Sequence, residues 1–268
     1  MEELDYLINY LLEENRNIKV DVPSDMKKKH DLYHALVNVR PAKKISEEYL
    51  HTEDKYLNYL LSKQTVTRQE DINVIKDSYP ESKMNNSDKL ALWKGDITKL
   101  KIDAIVNAAN SQGLGCFMPL HKCIDNQINT YAGVGLRLEC DEYMKTINYH
   151  LDTGKSFITH AYNLPSDYVI HTVGPIITGS VTRNDQRLLE DCYINSLELA
   201  RENDIKNLAF CCISTGEFRY PKTDACRCVL KCVDEYLNDY SSCFNKIVFN
   251  VFNDEDVMIY EKYIREYK

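Results

Sequence analysis

The strongest constraint on the fold of this chain is an alternation that begins at Leu90. From there to the C-terminus, short apolar segments alternate with segments whose apolar residues recur at helical spacing. This alternation predicts an α/β fold in which helices cover both faces of a sheet. The predicted strands are LALW at 90–93, IDAIVN at 102–107, SFITHAY at 156–162, YVIHTV at 168–173, NLAFCCIS at 207–214 and KIVFNVF at 246–252.

The distribution of glycine divides the chain into two parts. All nine glycines lie between Gly95 and Gly216, whereas the first 94 residues contain none and carry leucine stripes at helical spacing. We therefore predict a helical N-terminal extension over residues 1–85 and an α/β domain over 86–268. The helices of the extension could pack on each other, but we expect them to dock on the α/β domain, where they could wall its cleft.

Three potential metal ligands follow the second predicted strand. Cys116, His121 and Cys123 supply two thiolates and one imidazole, a set that Zn²⁺ prefers, and three protein ligands leave one coordination position open. The alternative is that the two cysteines are small core residues and the histidine lies on a surface loop. Position favours the metal site, because open α/β sheets bind ligands where a strand ends in a polar turn.

Composition indicates which kinds of partner and which cellular compartment are compatible with this chain. Lys and Arg total 33 against 41 Asp and Glu, and the formal net charge of −8 disfavours a nucleic-acid partner. The acidic N-terminal segment lacks the basic start of a signal peptide and the apolar run of a membrane span. Ten cysteines, several on apparent apolar helix faces, indicate buried thiols in a reducing, cytoplasmic compartment.

Four motifs, taken in order, resemble those of a macrodomain, the module that binds ADP-ribose. They are KGDIT at 94–98, VNAAN at 106–110, VIHTVGP at 169–175 and CCISTGEFRYP at 211–221. Hydrolytic macrodomains usually have a run of glycines after NAAN. The segment GCFMPLHKCIDN at 115–126 instead resembles the zinc-dependent, sirtuin-linked branch of protein-ADP-ribose hydrolases. The resemblance covers roughly residues 86–268 and implies a three-layer α/β/α fold with a mixed central sheet.

The resemblance also implies an ADP-ribose site. Asp96 would contact the adenine, Asn110 the distal ribose and Gly216 the diphosphate, while Phe218 would stack near the distal ribose. Asp96 has a plainer alternative as a turn residue or N-cap, and Asn107, the other asparagine at this strand end, is as likely to hold the loop in shape. The predicted ligand-binding residues are Asp96, Ile97, Asn107, Asn110, Ser214, Thr215, Gly216, Glu217 and Phe218.

The same family resemblance implies that Asp125 and Asn110 are the catalytic residues. Asp125 matches an acid that hydrolytic macrodomains carry before a helix, where it could orient a water or act as general base. It could equally be an N-cap or a hydrogen-bond partner of His121. His171 is expected to be a structural or cleft-floor residue. Glu217 and Arg219 replace an apolar residue and a glycine of the usual family motif.

The function that the resemblance implies is zinc-dependent removal of mono-ADP-ribose from acidic side chains of modified proteins, with one Zn²⁺ per chain. Zinc could act as a Lewis acid or lower the pKa of a bound water. A lipoate-carrying protein related to the glycine-cleavage H protein is one implied substrate. The alternatives are a non-catalytic ADP-ribose reader and an O-acetyl-ADP-ribose deacetylase.

Overall fold

The computed structural model describes residues 2–17 and 19–268, and its strands form two sheets. The strands are β1 (Thr67–Arg68), β2 (Leu90–Lys94), β3 (Leu100–Lys101), β4 (Ala104–Ala109), β5 (Ser156–His160), β6 (Tyr168–Val173), β7 (Asn207–Phe210) and β8 (Lys246–Val251). The helices are α1 (Glu2–Glu14), α2 (Met26–Val39), α3 (Glu47–Ser62), α4 (Ile75–Ser78), α5 (Ile124–Ala132), α6 (Val134–Thr146), α7 (Arg183–Glu202), α8 (Lys222–Tyr240) and α9 (Asp254–Arg265).

The central sheet has six strands in the order β2-β8-β7-β4-β6-β5. Neighbouring strands are parallel except β5, which pairs with β6 in the antiparallel direction. The inner strands read as continuous apolar runs, because a parallel strand covered on both faces buries every side chain. Ile105 and Val106 of β4 and Ile247 and Val248 of β8 are fully buried. The predicted mixed sheet is confirmed.

Helices cover both faces of this sheet. Neighbouring side chains of β5 point in opposite directions, as the pleat requires. The hydroxyl of Ser156 lies 3.3 Å from that of Ser196 on α7, whereas the ring of Phe157 stacks at 4.5 Å on Tyr143 of α6. Helix α8 packs on α7, and α5 packs beside α6. The three-layer α/β/α fold predicted from the alternation is therefore confirmed.

The helical N-terminal extension is also confirmed, and α1, α2 and α3 form an apolar cluster of their own. This cluster includes Leu7, Tyr33 and Tyr49, and it takes in Val134 from α6, so the extension docks on the α5–α6 side of the α/β part. The division at residue 85 stays a prediction. Ile72 and Met84 belong to the core of the α/β part, so its packing begins earlier in the chain.

Among the helices that the structure describes, none is both long enough and apolar enough to cross a membrane.

Candidate active-site cleft

A cleft of about 940 Å³ opens at the carboxyl ends of β2, β4, β6, β7 and β8. Parallel sheets place ligand sites at this edge, because loops from several strands and the N-termini of the following helices converge there. The residues that line it include most of the predicted site: Asp96, Ile97, Asn110, Cys116, His121, Cys123, Asp125, Ser214, Thr215, Gly216, Glu217 and Phe218.

The three predicted metal ligands lie together on the cleft wall. Their ligand atoms are all within 4.8 Å of one another, and Cys116 Sγ is 3.5 Å from His121 Nδ1. Zinc bonds of about 2.0–2.3 Å in a tetrahedral arrangement place ligand atoms roughly 3.5 Å apart. Burial raises the pKa of Cys123 to about 12, so a thiolate here needs a nearby cation. The donor set fits one Zn²⁺, which stays a prediction.

The loop that carries the three predicted ligands, residues 111–123 and called the metal loop below, ends where α5 begins. Cys123 is the N-cap of α5, and its sulfur accepts a hydrogen bond of 3.4 Å from the Asn126 amide. Earlier in the loop, Gly115 adopts a φ of +83°, and a Cβ there would lie 2.6 Å from the amide of Asn129. A glycine is therefore required where the loop passes over α5.

Asp125 is buried beneath the cleft and held by amide groups. Asn107 Nδ2 donates to Oδ1 at 2.8 Å and Asn129 Nδ2 donates to the same oxygen at 3.1 Å. Asn110 Nδ2 contacts Oδ2 at the longer distance of 3.4 Å. Burial raises the pKa of Asp125 to about 6, although the hydrogen bond from Asn107 and the charge of Arg137 oppose this rise. Of the two carboxylate oxygens, Oδ2 has the longer contact.

The two predicted ribose contacts occupy different places. Asn107 is fully buried below the cleft, where its amide bridges Asp125 and His171, so it holds the Asp125 carboxylate and does not line the cleft. Asn110 does line it, with Nδ2 donating to the Gly115 carbonyl at 3.1 Å. His171 stacks on Phe157 at 4.6 Å, and burial lowers its pKa to about 3, as a structural residue requires.

The loop predicted to bind the diphosphate, residues 211–221 and called the diphosphate loop below, is shaped by its backbone. Ser214 and Arg219 adopt positive φ angles of 65° and 59°. The Tyr220 amide donates to the Ser214 carbonyl, and the Arg219 amide donates to the Gly216 carbonyl. Arg219 therefore stands in a conformation that favours glycine, the residue that the family motif has there.

Close packing holds the first part of the diphosphate loop against the strand end after β6. A Cβ on Gly174 would lie 2.0 Å from the hydroxyl of Ser214, so a larger residue is excluded at that position. Among the described residues, the Ser214 hydroxyl is buried without a hydrogen-bond partner, and it lines the cleft. Gly216 has open space around it, which leaves its backbone accessible to a ligand.

One contact joins the two loops across the cleft. Glu217 Oε1 of the diphosphate loop lies 3.5 Å from His121 Nε2 of the metal loop. The other ring nitrogen of His121 faces Cys116, so one nitrogen can bind a metal while the second donates to a carboxylate.

Asp96 and Ile97 lie side by side at the end of the cleft nearest β2. Asp96 caps the short helix Ile97–Lys99 through its contacts with the amide and hydroxyl of Thr98, and it pairs with Lys99 at 3.2 Å. The N-cap alternative is therefore observed. The carboxylate still lines the cleft, so the cap does not exclude an adenine contact.

Several cleft residues were missed by the sequence reasoning. Phe252 follows β8 and is 73% exposed, and its position at the end of the predicted strand 246–252 could have identified it. Asp31 and His34 reach the cleft from α2 of the extension. Periodicity gave no means of finding them, because it does not indicate which surface a helix covers.

The fold and the cleft define a macrodomain, and the family model "Macro domain" matches residues 106–229. The chain is 45% identical over 258 residues to the protein-ADP-ribose hydrolase of Treponema medium, covering 96% of each chain. It is 44% identical over 261 residues to that of Staphylococcus aureus strain MSSA476, covering 97% of this chain and 94% of the relative. The chain therefore belongs to the macrodomain family and, within it, to the protein-ADP-ribose hydrolases.

Solved structures agree with this assignment. The Trypanosoma brucei macrodomain in complex with ADP-ribose is 28% identical with a TM-score of 0.65, over 85% of this chain and 94% of that one. The Oceanobacillus iheyensis macrodomain with ADP is 33% identical with a TM-score of 0.61, over 68% of this chain and 93% of that one.

Proposed function

We propose that this enzyme is a zinc-dependent hydrolase that removes mono-ADP-ribose from Asp and Glu side chains of modified proteins. Relatives that match nearly the whole chain carry the name protein-ADP-ribose hydrolase. The observation that carries the zinc part of the proposal is that Cys116, His121 and Cys123 line the same cleft as Asn110 and Asp125.

Cys116, His121 and Cys123 would hold the metal and leave one coordination position open toward the cleft. Bound Zn²⁺ supplies either Lewis-acid polarisation of an oxygen or a bound water of lowered pKa. Glu217 supports a ligand role for His121, because a carboxylate that accepts from the second ring nitrogen fixes the tautomer and the ring plane.

Asp125 can orient the nucleophile. Two amides from Asn107 and Asn129 hold Oδ1, whereas among the described residues Oδ2 makes only the 3.4 Å contact with Asn110. Oδ2 is therefore free to accept a hydrogen bond from a water or a ribose hydroxyl. Its orientation is set before substrate arrives, since the donors lie on β4 and α5.

The diphosphate loop can bind the rest of the substrate. Gly216 leaves its backbone open to the cleft, and the amides of residues 214–218 precede α8, where backbone N–H groups stabilise phosphate oxygens. The partly buried ring of Phe218 lines the same wall and can pack on a ribose.

The test is release of ADP-ribose from an Asp/Glu-modified protein by the purified full chain, with and without a zinc chelator. Cys123→Ala should abolish release while ADP-ribose affinity, measured by calorimetry, changes no more than about threefold. Cys243→Ala is the matched control, because Cys243 is a partly exposed thiol outside the cleft, and its activity should equal wild type.

Release that persists after zinc removal contradicts the zinc dependence. Tight ADP-ribose binding without release from protein or from acetyl ester supports a reader, and release from the acetyl ester alone supports the deacetylase. The same assay on a modified lipoate-carrying H-protein relative tests that predicted substrate. A cytoplasmic location also stays a prediction, supported by cysteines that are free thiols.

A further inference from the structure

The metal loop is held from behind by a helix of the N-terminal extension. Asn38 of α2 is fully buried, and its Oδ1 accepts a hydrogen bond of 3.1 Å from the backbone amide of Leu120. Its Nδ2 donates at 3.0 Å to the hydroxyl of Thr130 on α5. Leu120 immediately precedes His121 and adopts a positive φ of 56°. A single extension side chain therefore fixes the backbone next to a predicted ligand.

A second extension residue acts through α5. His34 Nε2 contacts Asn126 Oδ1 at 2.7 Å, and Asn126 Nδ2 donates to the Met118 carbonyl at 3.0 Å. The second contact fixes which amide atom of Asn126 is the oxygen, so His34 carries its proton on Nε2. The backbone amide of Asn126 donates to the sulfur of Cys123. Asn126 thus connects α2 to both ends of the segment between Met118 and Cys123.

A buried guanidinium completes the connection. Arg137 donates through Nη1 to the carbonyls of Val37, Asn38 and Arg40, where α2 ends and its last carbonyls lack helical partners. Its Nε donates at 2.7 Å to the carbonyl of Leu114 in the metal loop. The end of α2 and the start of the metal loop therefore share one cation.

We propose that α2 is a positioning element of the metal site, with Asn38 and His34 as the residues that set the geometry of the ligand loop. The inference rests on the proposed zinc site. Asn38 bonds the loop backbone directly and His34 acts through Asn126, and among the described residues neither side chain hydrogen-bonds a predicted ligand side chain. The extension thus acts on metal affinity through loop shape.

The first test compares Asn38→Leu with Thr130→Val in the full chain. Asn38→Leu removes the acceptor for Leu120, whereas Thr130→Val removes the other partner of Asn38 and leaves that acceptor in place. The measurements are the zinc dissociation constant by competition with a chromogenic chelator, the absorption spectrum of the Co²⁺-substituted protein, and the ADP-ribose dissociation constant by calorimetry.

Asn38→Leu should weaken zinc binding about tenfold or more and alter the cobalt spectrum, because partners that hold a ligand affect metal affinity on that scale. Its ADP-ribose affinity should stay within about threefold of wild type. Thr130→Val should bind zinc within about twofold of wild type. Equal zinc affinity in wild type and Asn38→Leu overturns the inference, as does an equal loss in both variants, which would mark a general effect of the interface.

A second pair keeps the test decisive if Asn38→Leu does not fold. His34→Phe removes the donor to Asn126, and His34→Gln supplies an amide donor in its place. We expect the phenylalanine variant to lose zinc affinity and the glutamine variant to recover most of it. No loss in His34→Phe contradicts the inference. A wild-type chain that binds no zinc overturns the proposed metal site as well, which distinguishes the two failures.

Discussion

Two loops face each other across the cleft, and they are held in place in different ways. The diphosphate loop is held by hydrogen bonds within its own backbone and by contact with the neighbouring strand end at Gly174. The metal loop is held by side chains outside it: Asn110 and Asn126 flank the loop in sequence, whereas Asn38 and Arg137 are remote from the atoms that they bond. Asn38 and its partner Leu120 are 82 residues apart in the sequence.

The two walls of one cleft can therefore be held in different ways, one by contacts within its own loop and the other by residues far away in the sequence. The shape of the diphosphate loop depends on φ angles and on one close approach, so substitutions within or beside the loop should disturb it most. The shape of the metal loop depends on the docking of the extension, so substitutions far from it in sequence should disturb it.

Removing the shared cation should have the largest effect. Arg137→Leu leaves the carbonyls of Leu114 and of the end of α2 without their buried donor, and we expect the free energy of unfolding to fall by about 4 kcal/mol. Urea unfolding followed by circular dichroism measures it. Arg219→Leu, at an exposed position of the diphosphate loop, should have a free energy of unfolding within about 0.5 kcal/mol of wild type. Similar losses in both variants would contradict the comparison.

The extension should also respond to pH through Glu53 on α3. This carboxyl is buried and accepts from the hydroxyls of Tyr33 and Tyr49 and the amide of Val134 on α6, with the charge of Asp54 nearby. Burial raises its pKa to about 7 from 4.5. The pKa of Glu53 is therefore higher in the folded than in the unfolded chain. Protonation of Glu53 then adds about 3 kcal/mol to the free energy of unfolding, a contribution that is fully present below pH 4.5 and is lost as pH rises through 7.

The measurement is the free energy of unfolding at pH 5 and pH 8 for wild type and Glu53→Gln. The difference in the free energy of unfolding between wild type and Glu53→Gln should change between pH 5 and pH 8, because glutamine does not titrate. The contributions of the other titrating groups are the same in both proteins and cancel in the difference. A difference that is constant with pH would show that Glu53 has an ordinary pKa.

On the opposite wall, Gly174→Ala should disturb the diphosphate loop. The added Cβ would meet the Ser214 hydroxyl at 2.0 Å. We expect the free energy of ADP-ribose binding to become less favourable by about 2 kcal/mol, which is roughly a 30-fold weaker affinity by calorimetry. Zinc affinity should be unchanged, because the metal loop is held separately. Gly179→Ala is the control, since no atom of the described residues lies within 4 Å of the position that its added methyl group would take. Loss of zinc affinity in Gly174→Ala would show that the two walls are coupled.

The smallest effect is expected at Arg219. Arg219→Gly should raise the free energy of unfolding by about 0.5 kcal/mol, because glycine adopts the observed φ of 59° without a steric cost. Arg219→Ala is the reference, as it keeps the Cβ. Thermal unfolding of the two variants side by side measures the difference, and a less stable glycine variant would contradict a local origin of the loop shape.

The same division explains how much the sequence could predict. The strands, their polar ends and the candidate ligands Cys116, His121 and Cys123 follow from local patterns, since a strand end and an eight-residue spacing are visible in one stretch of chain. The sequence suggested that the extension could wall the cleft, but it did not identify Asp31 and His34 of α2 as the residues that do so, because periodicity identifies an apolar face but not the surface that it covers. Asn107 shows a second limit: its residue type suits a ribose contact, yet packing directs its amide to Asp125.

The dependence of the metal loop on α2 has a consequence for protein engineering. The segment from Gly115 to Asn126 contains all three candidate ligands, and transplanting it into another macrodomain scaffold would transfer the thiols and the imidazole. It would not transfer the contacts from Asn38, His34 and Arg137 that give the segment its shape. A chimera that gains metal binding should therefore need the helix and its arginine partner as part of the same graft.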